Sequence, residues 1–380
     1  MEEFLPSSID IQKKLTKKFR AKHGIFLTPK SLREALFDHI DIVPRNVLEP
    51  SCGSGEFLVD CERRFPNAGI TGVELNDGLV SIARSNVLRT DIVQSDFLDY
   101  KCDRKFDLII GNPPFARVAK KNCRYPEAIL LRSNLYIEIL YKCLAEHLER
   151  DGVLAMILPA TIQNGASFQL VRNMIISMNV IHFEVIREHE FKDTKAGVCL
   201  LVVQNTEGNN ERFEFDGILT GKSQYIRDIA TGYKTFSEYD LNILSYNATH
   251  LLKPYHSRDR DDIEYVLSRD LHDRDIVFDE NKRLYIKRDV PSRTHSGNVV
   301  FISRTIATGS ATMGRTYKLK FAKFYSPEFL YDMSMYAISG TDIDIFYESL
   351  KDERTNMYLE ELLGSGALNI NTLRKLPIFR

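Results

Sequence analysis

The sequence predicts an α/β protein built on a parallel, doubly wound sheet, followed by a second domain of mixed α and β character. Three observations predict it. The first half alternates short, almost wholly apolar runs with stretches of helical spacing, as expected for strands covered on both faces and joined by crossover helices. The alternation weakens after the polar stretch "NTEGNNER" (205–212), which reads as a linker. At 380 residues the chain is also long for a single hydrophobic core. The expected division is a first domain over 1–204, a linker over 205–212 and a second domain over 213–380.

The strand candidates come in order: "NVLEP" (46–50), "GITGVEL" (69–75), "DIVQSDF" (91–97), "FDLIIGN" (106–112), "GVLAMILP" (152–159), "VIHFEVI" (180–186) and "GVCLLVVQ" (197–204). Between them, "SGEFLVDCERRF" and "NLYIEILYKCLAEHLERDG" carry helical spacing. The second is expected to run until Asp151-Gly152 stops it. No internal repeat and no low-complexity segment interrupts the series.

Composition narrows the class. No apolar run approaches the ~20 residues of a membrane span, and the charged start "MEEFLPSSIDIQKKLTKKFR" lacks a signal-peptide core, so a cytoplasmic location is expected. The six cysteines are scattered, without CxxC spacing or neighbouring histidines, so free thiols and no metal are expected. The net charge of −1 hides an uneven distribution: eight Lys or Arg and no acid from Ile11 to Arg33, and ten against Asp289 alone from Lys282 to Lys323. A charge run by itself is more often a solvated face than a binding surface.

The chemistry collects at the strand ends. In "VLEPSCGSGEFLVD" (47–60), Gly53 and Gly55 let the backbone turn tightly and admit a ligand at a helix N-terminus, although glycine serves purely conformational turns as well. Glu74 follows Gly55 by 19 residues, near the offset at which a carboxylate reaches ribose hydroxyls. Asp96 is placed to accept from an adenine amine, with Phe97 packing on the ring. The turn is neither GxGxxG nor a Walker loop, and Glu49 puts negative charge where a pyrophosphate would need neutral amides. A cationic adenosine cofactor, S-adenosylmethionine, suits that electrostatics. "IIGNPPF" then ends a strand on two rigid prolines. There Asn112 and the Pro113 carbonyl can accept from a planar amine, with Phe115 stacking on its ring.

In this order the motifs resemble the gamma-class adenine (amino) methyltransferases of DNA found in restriction-modification systems. "GIFLTPKSLREAL" supplies the Thr-Pro element before the turn, and "GVEL", "QSDFL" and "GNPPF" follow in the family's sequence. The resemblance covers roughly residues 20–204. It implies a Rossmann-like S-adenosylmethionine-dependent methyltransferase domain with a C-terminal mixed α+β target-recognition domain. It assigns Thr28, Pro29, Glu49, Pro50, Gly53, Gly55, Glu74, Leu75, Asp96, Phe97 and Asn112 to the cofactor. Asn112, Pro113, Pro114 and Phe115 become catalytic, and Phe115 and Phe191 hold the target base. Phe115 replaces the commoner tyrosine, and Cys52 sits in the glycine turn.

The expected activity is methyl transfer to the exocyclic amine of adenine in double-stranded DNA, with the base flipped out of the stack. The expected partners are DNA and a cognate restriction endonuclease acting on the same site, and no membrane. Arg283, Lys287, Arg288, Arg293, Arg304 and Arg315 are candidates for DNA contact. The Asn-Pro-Pro-aromatic element is shared with glutamine methyltransferases acting on release factors, and RNA adenine presents the same amine. Against a protein substrate stand the Thr-Pro element and the basic C-terminal segment. A non-catalytic DNA-recognition subunit would have no use for the Glu74, Asp96 and Asn112 series.

Overall fold

The computed structural model describes residues 4–16, 20, 26–119, 122–128, 133–186, 197–246, 248–309, 315–363 and 366–380. They form two compact units, one drawn from residues 1–224 and the other from 225–309 and 315–380.

All seven predicted strands are present in the first unit and form one sheet. They are β1 (Asn46–Glu49), β2 (Gly69–Glu74), β3 (Asp91–Gln94), β4 (Phe106–Gly111), β5 (Leu148–Pro159), β6 (Asn179–Ile186) and β7 (Val198–Gln204), in the spatial order β3-β2-β1-β4-β5-β7-β6. β1 pairs in parallel with β2 and with β4, placing Leu48 opposite Thr71 on one side and Ile109 on the other. The sheet departs from the all-parallel expectation at β7, which runs antiparallel to both β5 and β6. Residues 187–197, between β6 and β7, are too few for a crossover helix, so β7 can only return beside β6 in the opposite direction.

Period-two alternation along the apolar strands sends neighbouring residues to opposite faces. Leu48, Ile109, Leu154, Leu201 and Val203 join one hydrophobic cluster with Tyr136, Ile137 and Leu140 of helix α5 (Leu135–Lys142) and Val171 and Ile175 of α6 (Gln169–Ser177). Val47, Leu108, Ile110, Ala155 and Leu200 face the other. There they meet α2 (Lys30–Phe37), α3 (Glu56–Arg64) and α4 (Asp77–Asn86). At Gly72 the approach is close: a Cβ would lie 2.7 Å from Leu58 Cδ1, so a larger residue there would make the Leu58 side chain shift. A short helix α1 (Pro6–Lys14) precedes these elements.

Two expectations are corrected here. The helix expected to reach Gly152 ends at His147 after a π-helical turn, Cys143–His147, and Leu148 already belongs to β5. Asp151 takes a left-handed φ of 61°, and a Cβ on Gly152 would lie 3.1 Å from the Phe106 carbonyl. The Asp-Gly pair is thus a tight bend inside β5, at the irregularity between its Leu148 and Val153 pairings with β4. The expected linker 205–212 lies inside the first unit. Asn210 is buried there; its Oδ1 accepts from the Val180 amide at 2.8 Å, and its Nδ2 donates to the Ile176 and Met178 carbonyls, both at 2.6 Å. The boundary therefore falls later than the sequence predicts.

The second unit is mixed α+β. Its strands are β8 (Asn242–Ile243), β9 (His256–Ser257), β10 (Ile263–Val266), β11 (Tyr285–Ile286), β12 (His295–Ser303), β13 (Phe321–Tyr331) and β14 (Met335–Ser339). They form a sheet in the order β8-β14-β12-β13-β10-β11-β9, antiparallel except where β10 lies parallel to β13. Helices α7 (Ile343–Lys351), α8 (Glu353–Leu362) and α9 (Ile370–Arg374) follow. The closing "NINTLRKLPIFR" buries Leu373, Leu376, Ile378 and Phe379, and the Ile378 amide donates to the Lys234 carbonyl at 2.8 Å.

Because Ile109 is fully buried at the centre of the first sheet, Ile109→Ala removes packing that no neighbour can restore. It is expected to destabilise the first unit by about 2–5 kcal/mol, read as a lower urea midpoint with an unchanged slope.

Candidate active site

Parallel pairing of β1 to β4 brings the carboxyl ends of these strands to one edge, where open α/β sheets bind ligands. A cavity of about 450 Å³ lies there. Of the residues expected to contact a cofactor or carry catalysis, Thr28, Glu49, Pro50, Gly53, Glu74, Leu75, Asp96, Phe97, Asn112 and Pro114 line it. Pro29, Gly55, Pro113 and Phe115 are not among its lining residues. Phe191 falls outside the described residues.

The turn after β1 is shaped by its glycines. Gly53 and Gly55 have φ of 55° and 88°, left-handed conformations in which an L side chain is strained. Gly55 leads directly into α3. Glu74 fastens the turn: its Oε2 accepts from the Gly53 amide at 2.9 Å and its Oε1 from the Asn76 amide at 2.8 Å. Asn76 in turn caps α4, its side chain accepting from the Leu79 amide at 3.1 Å. The strand-end carboxylate thus ties β2 to the β1 turn.

Asp96 is held from two sides. Its Oδ1 accepts from the Leu98 amide at 3.0 Å, and its Oδ2 lies 3.3 Å from an Arg124 nitrogen. Arg124 also grips Asp99 with two bonds of 2.9 Å. Lys142, buried on α5, donates to the Phe97 and Leu98 carbonyls at 2.8 and 3.0 Å and so props up the same loop from beneath.

Three buried polar atoms in this region have no hydrogen-bond partner among the described residues: Glu49 Oε2, Ser51 Oγ and Asn112 Oδ1. All three residues line the cavity. Unsatisfied acceptors are costly in a folded interior and rare, so a cavity surrounded by them is suited to a ligand rich in donors or positive charge. Electrostatics agrees. Burial, and then the neighbouring Glu74, push the Glu49 carboxyl well above its ordinary value of 4.5, while Arg33 pulls less strongly the other way. Burial also raises Glu74, against its backbone hydrogen bonds.

Sequence reasoning missed several participants. Ile11, Gln12 and Leu15 line the cavity from the first helical segment, which is pinned to the glycine turn. Ser8 Oγ donates to Ser54 Oγ at 2.8 Å, and the Leu5 amide donates to Glu56 Oε1 at 3.0 Å. Neither contact has a local sequence signature. Phe26, Leu27, Leu135 and Ile139 add apolar lining. Phe115 is half-buried against both core clusters, its ring edge-on to Tyr136 at 6.1 Å between centroids.

The basic candidates of the second unit divide by their partners. Arg283 is paired with Glu264 at 2.8 Å and with Glu280 at 3.3 Å, and its guanidinium sits 3.9 Å from the Phe278 ring centre. Arg304 donates to the Met333 carbonyl at 2.7 Å and lies over Tyr246 and Tyr336. Lys287, Arg288 and Arg293 are exposed, and Arg288 pairs with Glu328 at 2.8 Å. Arg315 opens the strand Arg315–Tyr317, and its side chain lies outside the described residues.

With the geometry in place, comparison with known proteins decides the family. The family model described as N-6 DNA Methylase matches residues 11–289, well over half of the chain. The chain belongs to the N-6 DNA methylase family. The expected resemblance is thereby borne out, and the chain is a DNA N6-methyltransferase. This N-6 DNA methylase is 32% identical over the full length of both chains to Modification methylase CviBIII of Paramecium bursaria Chlorella virus NC1A. It is 29% identical, again over the full length of both, to Type II methyltransferase M.CvrRI of Paramecium bursaria Chlorella virus XZ-6E. Among solved structures, the M protein of the type I restriction enzyme EcoKI aligns over 49% of this chain and 44% of that one, with 17% identity and a TM-score of 0.40. Among its described residues, no group of three His, Cys, Asp or Glu is placed to hold a metal ion, and no helix is long and apolar enough to cross a membrane.

The raised Glu49 pKa makes a signed prediction for the ligand-free methylase. A carboxyl whose folded pKa exceeds its unfolded one stabilises fully below the unfolded value, and that contribution is lost as pH rises through the folded value. Glu49→Gln stays neutral throughout. It should raise the thermal unfolding midpoint at neutral pH relative to wild type and flatten the fall in stability that begins near 4.5. Superimposable pH profiles would show that Glu49 is not charged at a cost in the fold.

Proposed function

We propose that this DNA N6-methyltransferase uses S-adenosylmethionine to methylate the exocyclic amine of adenine at a specific site in double-stranded DNA, with the target base rotated out of the helix. The observation that carries the reading is Asn112: its amide oxygen is buried without a partner among the described residues, and the residue lines a cavity that also gathers Glu49, Glu74 and Asp96.

The residues present fit the cofactor. Glu74, already aligned by two backbone amides, is placed for ribose hydroxyls, Asp96 for the adenine amine, and Phe97 for the face of the ring. Glu49 faces the cationic part, which matches a carboxylate otherwise buried at a cost. When bound, S-adenosylmethionine would supply an electrophilic methyl group on a positively charged sulfur. Asn112 Oδ1 and the Pro113 carbonyl accept the two hydrogens of the target amine and draw its lone pair out of conjugation with the ring. Pro113 and Pro114 hold those acceptors rigid, so little reorganisation accompanies transfer. No strong base is needed, because the amine nitrogen sheds a proton once it has become cationic. A target amine inside a duplex is out of reach of such a corner, which is why base flipping belongs to the reading. Phe115 and Phe191 are the proposed apolar partners of the extruded base.

Lys287, Arg288 and Arg293 are the proposed phosphate contacts of the second unit. Both full-length relatives are named as modification or type II methyltransferases, which supports a role beside a cognate endonuclease acting on the same site, in the cytoplasm.

Methylation-sensitive sequencing of DNA from a host expressing the chain should find N6-methyladenine in one sequence context. Asn112→Ala should reduce transfer roughly a hundredfold or more while retaining cofactor binding. Undiminished turnover in that variant, or methyl groups found on protein or cytosine instead, would overturn the reading. Phe115→Ala is expected to cost less, about tenfold, as for loss of one stacking contact. Full activity in that variant would mark Phe115 as packing alone.

A further inference from the structure

The Asn112 side chain can meet the cavity with either end of its amide. Only one orientation works: the oxygen accepts from an amine, whereas the NH₂ group would set donor against donor. A neighbouring hydroxyl can pair with either end, so what the surroundings can fix is where the amide sits. Nδ2 donates to Thr28 Oγ1 at 3.1 Å, and Oδ1 is buried without a partner among the described residues. Thr28, itself buried, is immobilised in turn, since its carbonyl accepts from Arg33 Nη1 at 2.6 Å.

Arg33 is only 4% exposed, and its remaining nitrogens are committed. Nε lies 2.7 Å from Asp60 Oδ2 and Nη2 3.3 Å from Glu56 Oε2. Glu56 and Asp60 stand one turn apart on α3, the helix that begins at the glycine turn. A planar fork held between two carboxylates on a rigid helix has little freedom, and the carbonyl it donates to inherits that rigidity.

We propose that Thr28 and Arg33 form a relay that holds the Asn112 amide in place at the cavity, so that both are positioning residues for methyl transfer. The proposal rests on the reading of Asn112 given above. It also assigns Thr28 a different task from the cofactor contact that the family resemblance implies. A cofactor contact acts on cofactor affinity. A relay acts on turnover, because an amide released from Thr28 spends part of its time out of position while the cofactor site is untouched.

The test uses the full chain with Thr28→Val, which keeps the shape and removes the hydroxyl acceptor, and Thr28→Ser, which keeps the acceptor. Turnover is measured as methyl incorporation into duplex DNA, and cofactor-site affinity by calorimetric titration with S-adenosylhomocysteine. Thermal unfolding verifies that each variant is folded. Thr28→Val is expected to lose about tenfold in kcat, the order of one hydrogen bond, with S-adenosylhomocysteine affinity unchanged. Thr28→Ser should recover the wild-type rate. Arg33→Lys retains the charge without the fork and should lower kcat in the same direction, again at constant affinity.

Full kcat in Thr28→Val overturns the relay. So does a loss of S-adenosylhomocysteine affinity that accounts for the loss of rate, or a Thr28→Ser variant as slow as Thr28→Val. Full kcat in a folded Arg33→Lys variant removes Arg33 from it. A wild-type chain that transfers no methyl group to duplex DNA overturns the underlying reading instead, and that result is seen before any substitution is made.

Discussion

One backbone arrangement governs the first unit: β1 is hydrogen-bonded in parallel to β2 on one side and β4 on the other. Parallel strands end at the same edge, and adjacent strands lie about 5 Å apart, so residues at successive strand ends meet without any long-range fitting. Glu49, Glu74 and Asn112, separated by dozens of residues in sequence, share one cavity for this reason. The third strand adds Asp96 two residues beyond its end. Had any connection been a hairpin, the strand after it would have run the other way, carrying its functional end to the opposite edge. β7, antiparallel to both of its neighbours, carries its end to that opposite edge.

The same convergence creates an electrostatic problem. Glu56, Asp60 and Glu74 lie close enough to raise the Glu49 carboxyl, and Arg33 acts on it in the opposite direction. The fold handles these carboxylates differently. Glu74 is satisfied by backbone amides, and Glu56 and Asp60 by Arg33, whereas one Glu49 oxygen is left unpartnered. Breaking a buried ion pair leaves an uncompensated charge, so the Arg33 cluster is rigid by necessity. A carboxylate with an unpartnered oxygen is instead a site awaiting positive charge. Rigid support around an unsatisfied acceptor is what preorganisation requires, and here both come from one set of side chains.

The order of motifs, the seven strands of the first sheet and the strand-end residues of the cavity lining were legible in the sequence. Each depends on local features: apolar runs, glycine where φ is positive, and acids at strand ends. What escaped was non-local. The antiparallel β7 follows from the length of a connection rather than from the strand's composition. The end of α5 was misplaced because Asp151-Gly152 has the composition of a helix stop, while its geometry serves a bend within β5. The polar run 205–212 reads as a tether until Asn210 is seen spending every one of its side-chain hydrogen bonds on Ile176, Met178 and Val180. Arg33 carried no signal at all, since an arginine in a basic run looks solvated until Asp60 and Glu56 are placed beside it.

The basic segment of the second unit shows the same limit from the other direction. From Lys282 to Lys323 the sequence counts ten cations and one acid, yet the acids that matter come from outside that window. Glu264 and Glu280 take Arg283, Glu328 takes Arg288, Asp279 takes Lys282, and Asp273 takes Lys318. An arginine already shared between two carboxylates and an aromatic face brings little net charge to a polyanion, because most of its field is spent within the protein. A run of like charge in sequence is therefore not a positive surface in space. The acidic stretch 259–280 that precedes it supplies several of the partners, so part of the positive run is neutralised within the fold. Any attraction for a phosphate backbone must then rest on the few cations whose heads remain in solvent, with the rest of the recognition left to shape and to hydrogen bonds.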